Sequence, residues 1–370
     1  MKRLLLLGGG HSHALVLLAW AKQALPGVEL CLVSPAQHSL YSGLVPAWLA
    51  GRIPAEALQI DLAALCRAVG AQLLIDEAVA LNPEAQTLQL ASGTALVYDL
   101  LSVNTGSTLS APAHLGPTLA LRPLAQLLHA WPAHLQAWQQ GEGPLALHTV
   151  GGGAAGVEVL LAALHRLRQL RPDRPLQPCL FSAAPSLLPG HARAAARRAE
   201  TALQQAGVDL RLGQRWQPGD SPPGSWLLWA AGAQAPAWLA ASGLALSPEG
   251  YVAVHPTLQS RSHANVFAAG DSAAFSPALD KSGVRAVRMA PTLAHNLRAC
   301  LLGQPLQAHH PQSAVLALLA LPDGSAIASR GGWLSAQGRW VGRWKDALDF
   351  AFMRRFSPAA LSHLHPTEST

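Results

Sequence analysis

The sequence predicts an α/β protein that contains the same parallel-sheet fold twice, and a repeated glycine-rich loop is the main reason. The loop occurs as Gly8-Gly9-Gly10-His11-Ser12-His13 and again as Gly151-Gly152-Gly153-Ala154-Ala155-Gly156. Each copy follows an apolar, strand-like segment and precedes a helix-like one. Such a loop brings backbone N–H groups and a helix N-terminus up to a phosphate. The repetition therefore predicts two dinucleotide sites in one chain.

Length and composition fit this architecture. The chain has 370 residues, of which 50% are hydrophobic and 12% charged, enough to build more than one core. The net charge of +6 suits anionic partners such as dinucleotides, but dispersed basic residues and the lack of a recognition motif argue against nucleic acid. No apolar run reaches the roughly 18 residues of a spanning helix. Residues 1–7 are interpreted as a strand, not as a secretory signal.

The cysteines indicate a cytoplasmic protein. Cys31, Cys66, Cys179 and Cys300 are scattered without a CxxC pair and read as reduced, mostly buried thiols. No metal site is predicted.

The first glycine loop opens a βαβ unit. We expect a strand at 3–7, a helix from about 12 to 24 and a second strand at 28–33. An acidic residue usually ends that second strand and binds the ribose, but here Ser34 and Pro35 occupy the position. His13 replaces the third glycine, so a wider turn is expected, in which His11 or His13 either donates to a phosphate or caps the helix.

Downstream segments complete each fold. We expect paired strands at 73–81 and 86–90, a turn at 92–93, and a strand at 96–103. Asn104-Thr105-Gly106-Ser107 forms a small-residue turn, and Ala230-Ala231-Gly232-Ala233 repeats it after the second loop. Either turn alone is explained by a purely structural role, but the occurrence of both at equivalent positions predicts that they contact ligands.

A third signal is the apolar run 265–269, which ends in Gly270-Asp271. A carboxylate at the carboxyl end of a strand can accept hydrogen bonds from ribitol or ribose hydroxyls. A helix N-cap is the alternative role for Asp271.

These features together resemble the pyridine nucleotide-disulfide oxidoreductase superfamily, and within it the type II NADH dehydrogenase-like branch. Ser34-Pro35 followed by residues 41–46 resembles the corresponding segment of that branch. The first loop, residues 281–288 and the C-terminal segments 344–346 and 352–356 are similar to a subfamily found fused ahead of selenide, water dikinase.

The resemblance implies two Rossmann-like domains and a C-terminal α+β cap. An FAD domain would be assembled from 1–112 and 247–300, with an NADH or NADPH domain at 113–246 inserted in it and the cap at 301–370. The residues implied to hold FAD are Gly8, Gly10, His11, Ser12, His13, Ser34, Pro35, Ser42, Asn104, Thr105, Gly106, Gly270 and Asp271. Those implied for the nicotinamide cofactor are Gly151, Gly153, Gly156, Ser182 and Gly232.

Two residues are expected to take part in the chemistry. Glu158 matches the family glutamate that approaches the nicotinamide. Lys281 is the candidate for stabilising negative charge on reduced flavin, with an ordinary surface lysine as the alternative. After Lys281 we expect a helix from about 292 to 302.

The implied activity is hydride transfer from NADH or NADPH to FAD, followed by electron transfer to a quinone or a similar small acceptor. One alternative is selenium or sulfur redox chemistry, which needs Cys179 or Cys300 close to the flavin. Another is a non-catalytic flavin-binding sensor. The family's redox-active cysteine pair is absent, and residues 289–292 stand where quinone-reducing members often carry glutamines.

The choice between NADH and NADPH stays open. The strand at 178–181 ends at Ser182 and not at an acidic residue, so a 2′-phosphate is not repelled. Arg193, Arg197 and Arg198 either approach that phosphate or form a solvated helix face.

The C-terminal segment predicts an amphipathic helix. From Trp340 onward, helical spacing places Trp344, Ala347, Leu348, Phe352 and Phe356 on one stripe, and residues 331–356 have a net charge of +3. This pattern suits peripheral binding to anionic lipid on the inner face of the cytoplasmic membrane. The alternatives are packing on the FAD domain or a homodimer contact.

Overall fold

The computed structural model describes residues 1–113 and 116–364 and consists of two parallel sheets with flanking helices and a C-terminal α+β unit. The first region comprises β1 (Lys2–Leu7), α1 (His11–Lys22), β2 (Val28–Ser34), β3 (His38–Leu40), α2 (Val45–Leu49), β4 (Gln59–Asp61), α3 (Leu62–Val69), β5 (Gln72–Ile75), β6 (Ala78–Asn82), β7 (Thr87–Leu90), β8 (Ala95–Val97), β9 (Leu100–Val103) and β10 (Thr108–Leu109). The second comprises β11 (Thr118–Ala120), α4 (Leu124–Gln140), β12 (Leu145–Val150), α5 (Ala154–Leu170), β13 (Leu176–Ser182), α6 (Arg193–Gln205), β14 (Asp209–Leu212), β15 (Trp226–Trp229) and β16 (Ala233–Gln234). The remainder comprises β17 (Val252–Ala253), β18 (Val266–Ala268), β19 (Ala273–Ala274), α7 (Gly283–Leu302), β20 (Leu316–Ala320), β21 (Ala326–Arg330), β22 (Leu334–Gly338), α8 (Arg339–Arg354) and α9 (Pro358–Ser362).

The first sheet has five parallel strands in the order β18-β9-β1-β2-β5. Its central strands are buried on both faces, which explains why they read as continuous apolar runs. Helices α1, α3 and α7 cover one face, and the antiparallel β6-β7-β8 sheet lies on the other. The edge strand β18 comes from much later in the chain, so two separated segments build this sheet.

The second sheet is also parallel and five-stranded, in the order β11-β15-β12-β13-β14. Four strands of each sheet, counted along the chain from the one that precedes the glycine loop, share the spatial order third-second-first-fourth. Each sheet adds one outer strand beside the fourth. The predicted fold class, two Rossmann-like domains with a cap, is confirmed.

Several predicted element boundaries are wrong. The segment 73–81 contains two strands, because β5 joins the parallel sheet whereas β6 pairs with β7. The segment 96–103 is likewise divided into β8 and β9, at the buried Tyr98. Helix α7 begins at Gly283, well before residue 292, since Ser282 caps it through Arg285 N–H.

The C-terminal unit combines the antiparallel sheet β20-β21-β22 with α8 and α9. The predicted stripe of α8 is wrong in part. Phe352 is buried on the first domain, but Trp344 and Leu348 are 41% and 48% exposed. The buried face of α8 instead includes the ion pair Lys345–Asp349.

Within the described residues, no helix has both the length and the hydropathy needed to cross a bilayer. In the same part of the chain, no three His, Cys, Asp or Glu side chains come together as a metal-binding group.

Candidate dinucleotide sites and the junction between them

The first glycine loop is built around Asn104, the residue that follows β9. A Cβ at Gly8, where φ is +95°, would lie 2.4 Å from the Asn104 carbonyl oxygen, and one at Gly10 would lie 2.7 Å from its side-chain amide. In the orientation that gives both amide atoms of Asn104 hydrogen-bond partners, the side-chain oxygen accepts from the N–H groups of Ser12 and His13 at 3.2 Å each. Asn104 therefore caps α1 and holds the loop at the same time.

His13 supports the same loop from beneath. Its ring is fully buried, with Nδ1 2.7 Å from the Gly8 carbonyl oxygen and Nε2 2.8 Å from Ser102 Oγ. Because a carbonyl oxygen only accepts, Nδ1 carries the proton and Nε2 accepts from the hydroxyl. Burial lowers the pKa of His13 to about 4, so the ring is neutral. Both nitrogens are used inside the protein, so the expectation that His13 donates to a phosphate is wrong.

The turn at Gly270-Asp271 meets this loop from the other side. Gly270 has φ of +61°, and a Cβ there would lie 2.7 Å from the side-chain amide of Asn104. The Asp271 carboxylate accepts from Ser107 Oγ at 3.1 Å and forms an ion pair with Arg122. Arg122 was missed in the sequence, since nothing near residue 122 marks it as a partner of residue 271.

The turn after β9 is anchored to the same region. Gly106 N–H donates to Ser272 Oγ at 3.0 Å, and Thr105 Oγ1 lies 3.4 Å from that hydroxyl. The structure thus brings Asn104, Thr105 and Gly106 together with Gly270 and Asp271, as predicted for the FAD side.

Ser34 and its neighbours border the loop at the end of β2. Ser34 is buried, and a Cβ at Gly9 would lie 3.0 Å from its Oγ, which donates to the Ala36 carbonyl. Pro35 is exposed beside it. No aspartate or glutamate occupies this position.

His11 and Ser42 lie at the N-terminus of α7. A Cβ at Gly283 would lie 3.3 Å from Ser42 Oγ and 3.7 Å from His11 Nδ1. His11 Nε2 lies 3.3 Å from the Leu40 carbonyl, and burial lowers the pKa of this ring.

Lys281 is fully engaged near the Asp271 turn. Its Nζ donates to the carbonyls of Asp271 at 2.6 Å and Ala273 at 2.9 Å and lies 3.5 Å above the ring of Tyr251. Burial lowers its pKa to about 8, against the opposing effect of Asp271. The side chain therefore places a partly buried positive charge beside this turn, unlike an ordinary surface lysine.

The second glycine loop relies on close backbone packing. A Cβ at Gly156 would lie 2.0 Å from the Gly151 carbonyl oxygen, so only glycine fits. A Cβ at Gly152 would lie 2.7 Å from Ser182 Oγ, which places Ser182 beside the loop as predicted. Gly153 faces open space, and no side chain caps α5. The first-turn N–H groups of α5 are therefore available to an anion.

The turns of the two domains are joined directly. Gly106 and Gly232 have φ of +74° and +71°, and no atom lies within 4 Å of a Cβ at either position. Just beyond them, β10 pairs with β16 in antiparallel register, Thr108 opposite Gln234. The two open turns are consequently neighbours, as two ligands in contact would require.

A buried polar network lies where both domains meet the cap. Glu158, one turn into α5, accepts from Ala320 N–H of β20 at 2.6 Å. Lys345 Nζ donates to Asp349 at 2.7 Å and to the Gly43 carbonyl at 2.7 Å, and Tyr41 OH donates to Asp349 at 2.8 Å. The cap therefore contacts Glu158 of the second domain through β20 and Tyr41 and Gly43 of the first through α8.

Aromatic contacts extend the network to the first loop. The ring of Tyr41 stacks on Phe352 with centroids 4.6 Å apart, and His11 packs edge-on against both. Burial raises the pKa of Glu158 to about 7, although Lys345 opposes the shift, and burial with the nearby Asp349 raises that of Tyr41. The i,i+4 spacing of Lys345 and Asp349 was the available sequence signal for the pair.

The cysteines lie away from the loops. Cys300 is near the end of α7, next to Leu301. The Leu301 carbonyl accepts from Lys2 Nζ at the start of β1, whereas Gly8 follows the other end of that strand. Cys179 is buried within β13, and burial raises its pKa to about 11. The positions of the two thiols do not favour the sulfur or selenium chemistry considered as an alternative, which needs a thiol close to the flavin.

The arginines near the second loop differ in their contacts. Arg198 donates to Ser335 Oγ of β22 at 2.7 Å, so the cap engages it, which favours neither the solvated helix face nor a 2′-phosphate contact. Arg193 and Arg197 are exposed on α6.

Comparison with known proteins agrees with this geometry. Residues 2–296 match the family described as pyridine nucleotide-disulphide oxidoreductase. Among solved structures, the chain is similar to the sulfide:quinone oxidoreductase of Aquifex aeolicus, with a TM-score of 0.79 and 18% identity over 99% of this chain and 93% of that one. It is also similar to NDH2 of Plasmodium falciparum in complex with NADH, with a TM-score of 0.76 and 12% identity over 95% and 98% of the chains.

A third similar structure is the water-forming NADH oxidase of Lactobacillus brevis bound to NADH, with a TM-score of 0.71 and 20% identity over 90% of this chain and 76% of that one. At these identities the three structures establish the shared fold. The family match covers most of the chain, so the chain belongs to the pyridine nucleotide-disulphide oxidoreductase family, whose members bind FAD and NAD(P)H.

Proposed function

We propose that the protein is an NAD(P)H oxidoreductase that holds FAD at the first glycine loop and the nicotinamide dinucleotide at the second. The pairing of β10 with β16 carries this proposal, because it joins the two open glycine turns. When bound, FAD accepts a hydride equivalent from NAD(P)H and passes the electrons to an acceptor.

The residues of the first site fit FAD. Gly8 and Gly10 allow the backbone close to Asn104, so the loop presents N–H groups and not side chains. Asp271 is only 12% exposed, yet its charge is paired with Arg122, and its oxygens suit ribitol hydroxyls. Lys281 places positive charge beside the same turn and stabilises negative charge that develops on the ring system.

The residues of the second site fit a dinucleotide that exchanges. The uncapped start of α5 and the open space at Gly153 leave room for a pyrophosphate. Glu158 lies one turn further along α5, where we assign it a role in orienting the nicotinamide or in holding a proton near it.

The acceptor is proposed to be a quinone or a similar small molecule that reaches the junction lined by Tyr41, His11 and Phe352. The exposed face of α8 supports this assignment. Trp340 and Trp344 are 56% and 41% exposed, and Trp333 nearby is 80% exposed. Arginines 339, 343, 354 and 355 flank them, as expected of a helix lying on anionic lipid.

The donor assignment is tested by anaerobic stopped-flow absorbance of the FAD-loaded protein mixed with NADH or NADPH. We expect rapid bleaching of the flavin by at least one donor. Gly153→Val fills the open space at the second loop and should abolish bleaching while FAD is retained, whereas Gly219→Val, also in open space, should leave it unchanged. Firmly bound FAD without bleaching in the wild type would favour the sensor alternative.

The lipid contact is tested by sedimentation with vesicles of phosphatidylglycerol or of phosphatidylcholine. We expect binding to the anionic vesicles and about a thirtyfold loss in Trp340→Ser/Trp344→Ser, because about 2 kcal/mol of apolar burial is lost. Ile75→Ser/Val97→Ser, equally exposed on the first domain, is the control. Equal binding by both double variants would contradict the assignment to α8, and a dimer measured by light scattering would favour the homodimer alternative.

A further inference from the structure

A basic cavity lies on the side of α7 away from the first glycine loop. It has a volume of about 300 Å³ and lies between α7 and the segment 308–315 that leads into β20. Arg285, Arg288, His309 and His310 line it, and no aspartate or glutamate of the described residues does so. A volume near 300 Å³ lies at the lower end of small-molecule sites.

The charges of this cavity are not balanced within the protein. Arg285 and Arg288 are three residues apart on one helix, a spacing at which like charges repel. The exposed guanidinium of Arg288 makes no hydrogen bond or ion pair with any described residue, and that of Arg285 donates only to the Gln312 carbonyl, at 3.3 Å. An anion in the cavity would remove this repulsion and satisfy both guanidinium groups.

His309 supplies an independent observation. Its side chain is 9% exposed, lines the cavity and makes no hydrogen bond to a described residue. Only a tilted contact with Phe275, with ring centroids 6.0 Å apart, holds it. Burial lowers its pKa, and His310 and Arg285 lower it further, so the neutral ring has one N–H to donate. The ring nitrogens of His309 are thus open to the cavity and free to form hydrogen bonds with a ligand in it.

The cavity adjoins the FAD site proposed above at Met289, whose Sδ accepts from Gly270 N–H at 3.3 Å, but its charged residues lie on another face of α7. Ala286 of α7 faces the first loop, and its carbonyl accepts from Ser12 Oγ at 2.7 Å. Arg285, Arg288 and Thr292 occupy a different face of the helix, and no residue of either glycine loop lines the cavity.

From these observations we propose that the cavity binds a small anion bearing phosphate or carboxylate groups. The arginines provide charge and paired N–H donors, and His309 and Thr292 provide further hydrogen bonds at the cavity wall. Such a ligand bridges α7 and the segment 308–315, and therefore fastens the cap to the first domain.

The test is isothermal titration of the FAD-loaded protein with inorganic phosphate or citrate, at constant ionic strength maintained with KCl. We expect saturable binding of at least one anion, and at least about a tenfold loss in Arg288→Gln, since charge-assisted hydrogen bonds are removed. Arg261→Gln, which removes an exposed charge elsewhere on the first domain, should bind like the wild type. Saturation by phosphate identifies a phosphoryl ligand, and saturation by citrate alone a carboxylate ligand.

Gly153→Val distinguishes anion binding in the cavity from anion binding at the second glycine loop, because this variant should retain the affinity of the cavity. The proposal is overturned if neither anion saturates the wild type, if Arg288→Gln binds with wild-type affinity, or if Gly153→Val abolishes binding. Because the readout is heat and not flavin reduction, these outcomes are independent of the proposed oxidoreductase activity.

Discussion

The two halves of the molecule share strand order and equivalent turns, yet they hold their glycine loops by different means. In the first half, the side chains of Asn104 and His13 brace the loop through hydrogen bonds. In the second half, Ala230 and Gly156 stand at the corresponding positions, and Gly156 packs against the Gly151 carbonyl. Side-chain hydrogen bonds brace the first loop, whereas close backbone packing holds the second.

This difference matches the proposed residence of the two ligands. A loop that is braced in advance loses little entropy on binding, which favours tight retention of a cofactor. The second loop starts a helix without a side-chain cap and faces open space at Gly153, which suits a ligand that must leave in every turnover.

The largest predicted effect on activity is that of Gly156→Ala. Its Cβ would lie 2.0 Å from a backbone oxygen that cannot move independently of the loop. We expect a loss of about 1–3 kcal/mol in unfolding free energy and no flavin reduction by either nicotinamide, with FAD retained. Urea denaturation and stopped-flow absorbance measure the two effects.

Gly153→Ala is the matched control for stability, because its Cβ meets no protein atom within 4 Å. It should weaken nicotinamide binding without lowering stability. A Gly156→Ala variant as stable and as active as the wild type would refute the close packing described for this loop.

The next effect is that of His13→Gly, which gives the first loop the glycine pattern of the second. Gly8 O and Ser102 Oγ lose their ring partners and a buried space opens. We expect a loss of about 2–4 kcal/mol in stability and weaker FAD retention. Urea denaturation and FAD content after gel filtration are the measurements.

Ser102→Ala removes only one of the two hydrogen bonds and should cost about 1 kcal/mol. If His13→Gly retained FAD as well as the wild type, the glycine at this position would be sufficient by itself, and the comparison between the loops would fail.

The sequence was most informative where a residue type has a single physical reason. Gly151 and Gly156 marked the second loop, and the repeated turns at Gly106 and Gly232 marked equivalent positions, because these backbones need glycine. The contacts between residues far apart in the chain could not be predicted in this way. Arg122 and Asp271 are 149 residues apart, and Lys345 meets Gly43 across 302 residues, so only the packed domains bring them together.

The amphipathic pattern of α8 was misleading for a related reason. Periodicity identifies an apolar stripe but not its partner. Here the domain surface is polar at Gly43 and Tyr41, so Lys345 and Asp349 face inward while Trp344 and Leu348 stay exposed.

The third effect concerns Glu158, which has no counterpart at the first loop. Burial raises the pKa of Glu158 from its ordinary value of about 4.5 to about 7 in the folded state. Between these two pH values the folded state holds a proton that the unfolded state has released. Stability should therefore fall as pH rises from about 4.5 to about 7, by on the order of 2 kcal/mol after allowance for partial exposure.

Glu158→Gln should flatten this pH dependence in urea titrations at pH 5 and pH 8. Glu56→Gln, an exposed carboxylate on the first domain, should leave the dependence unchanged. The same pH slope in Glu158→Gln and the wild type would assign the slope to other groups.

The smallest predicted effect distinguishes the two serines that end β2 and β13. Ser34 and Ser182 are equally buried, at 4% exposure, and each Oγ lies beside the middle glycine of its loop. Ser182→Asp places a carboxylate where a 2′-phosphate would lie, so kcat/KM for NADPH should fall about tenfold relative to NADH. Ser34→Asp should leave that ratio unchanged, because Ser34 borders the FAD loop. A change in donor preference caused by Ser34→Asp and not by Ser182→Asp would mean that the ligands of the two loops are exchanged.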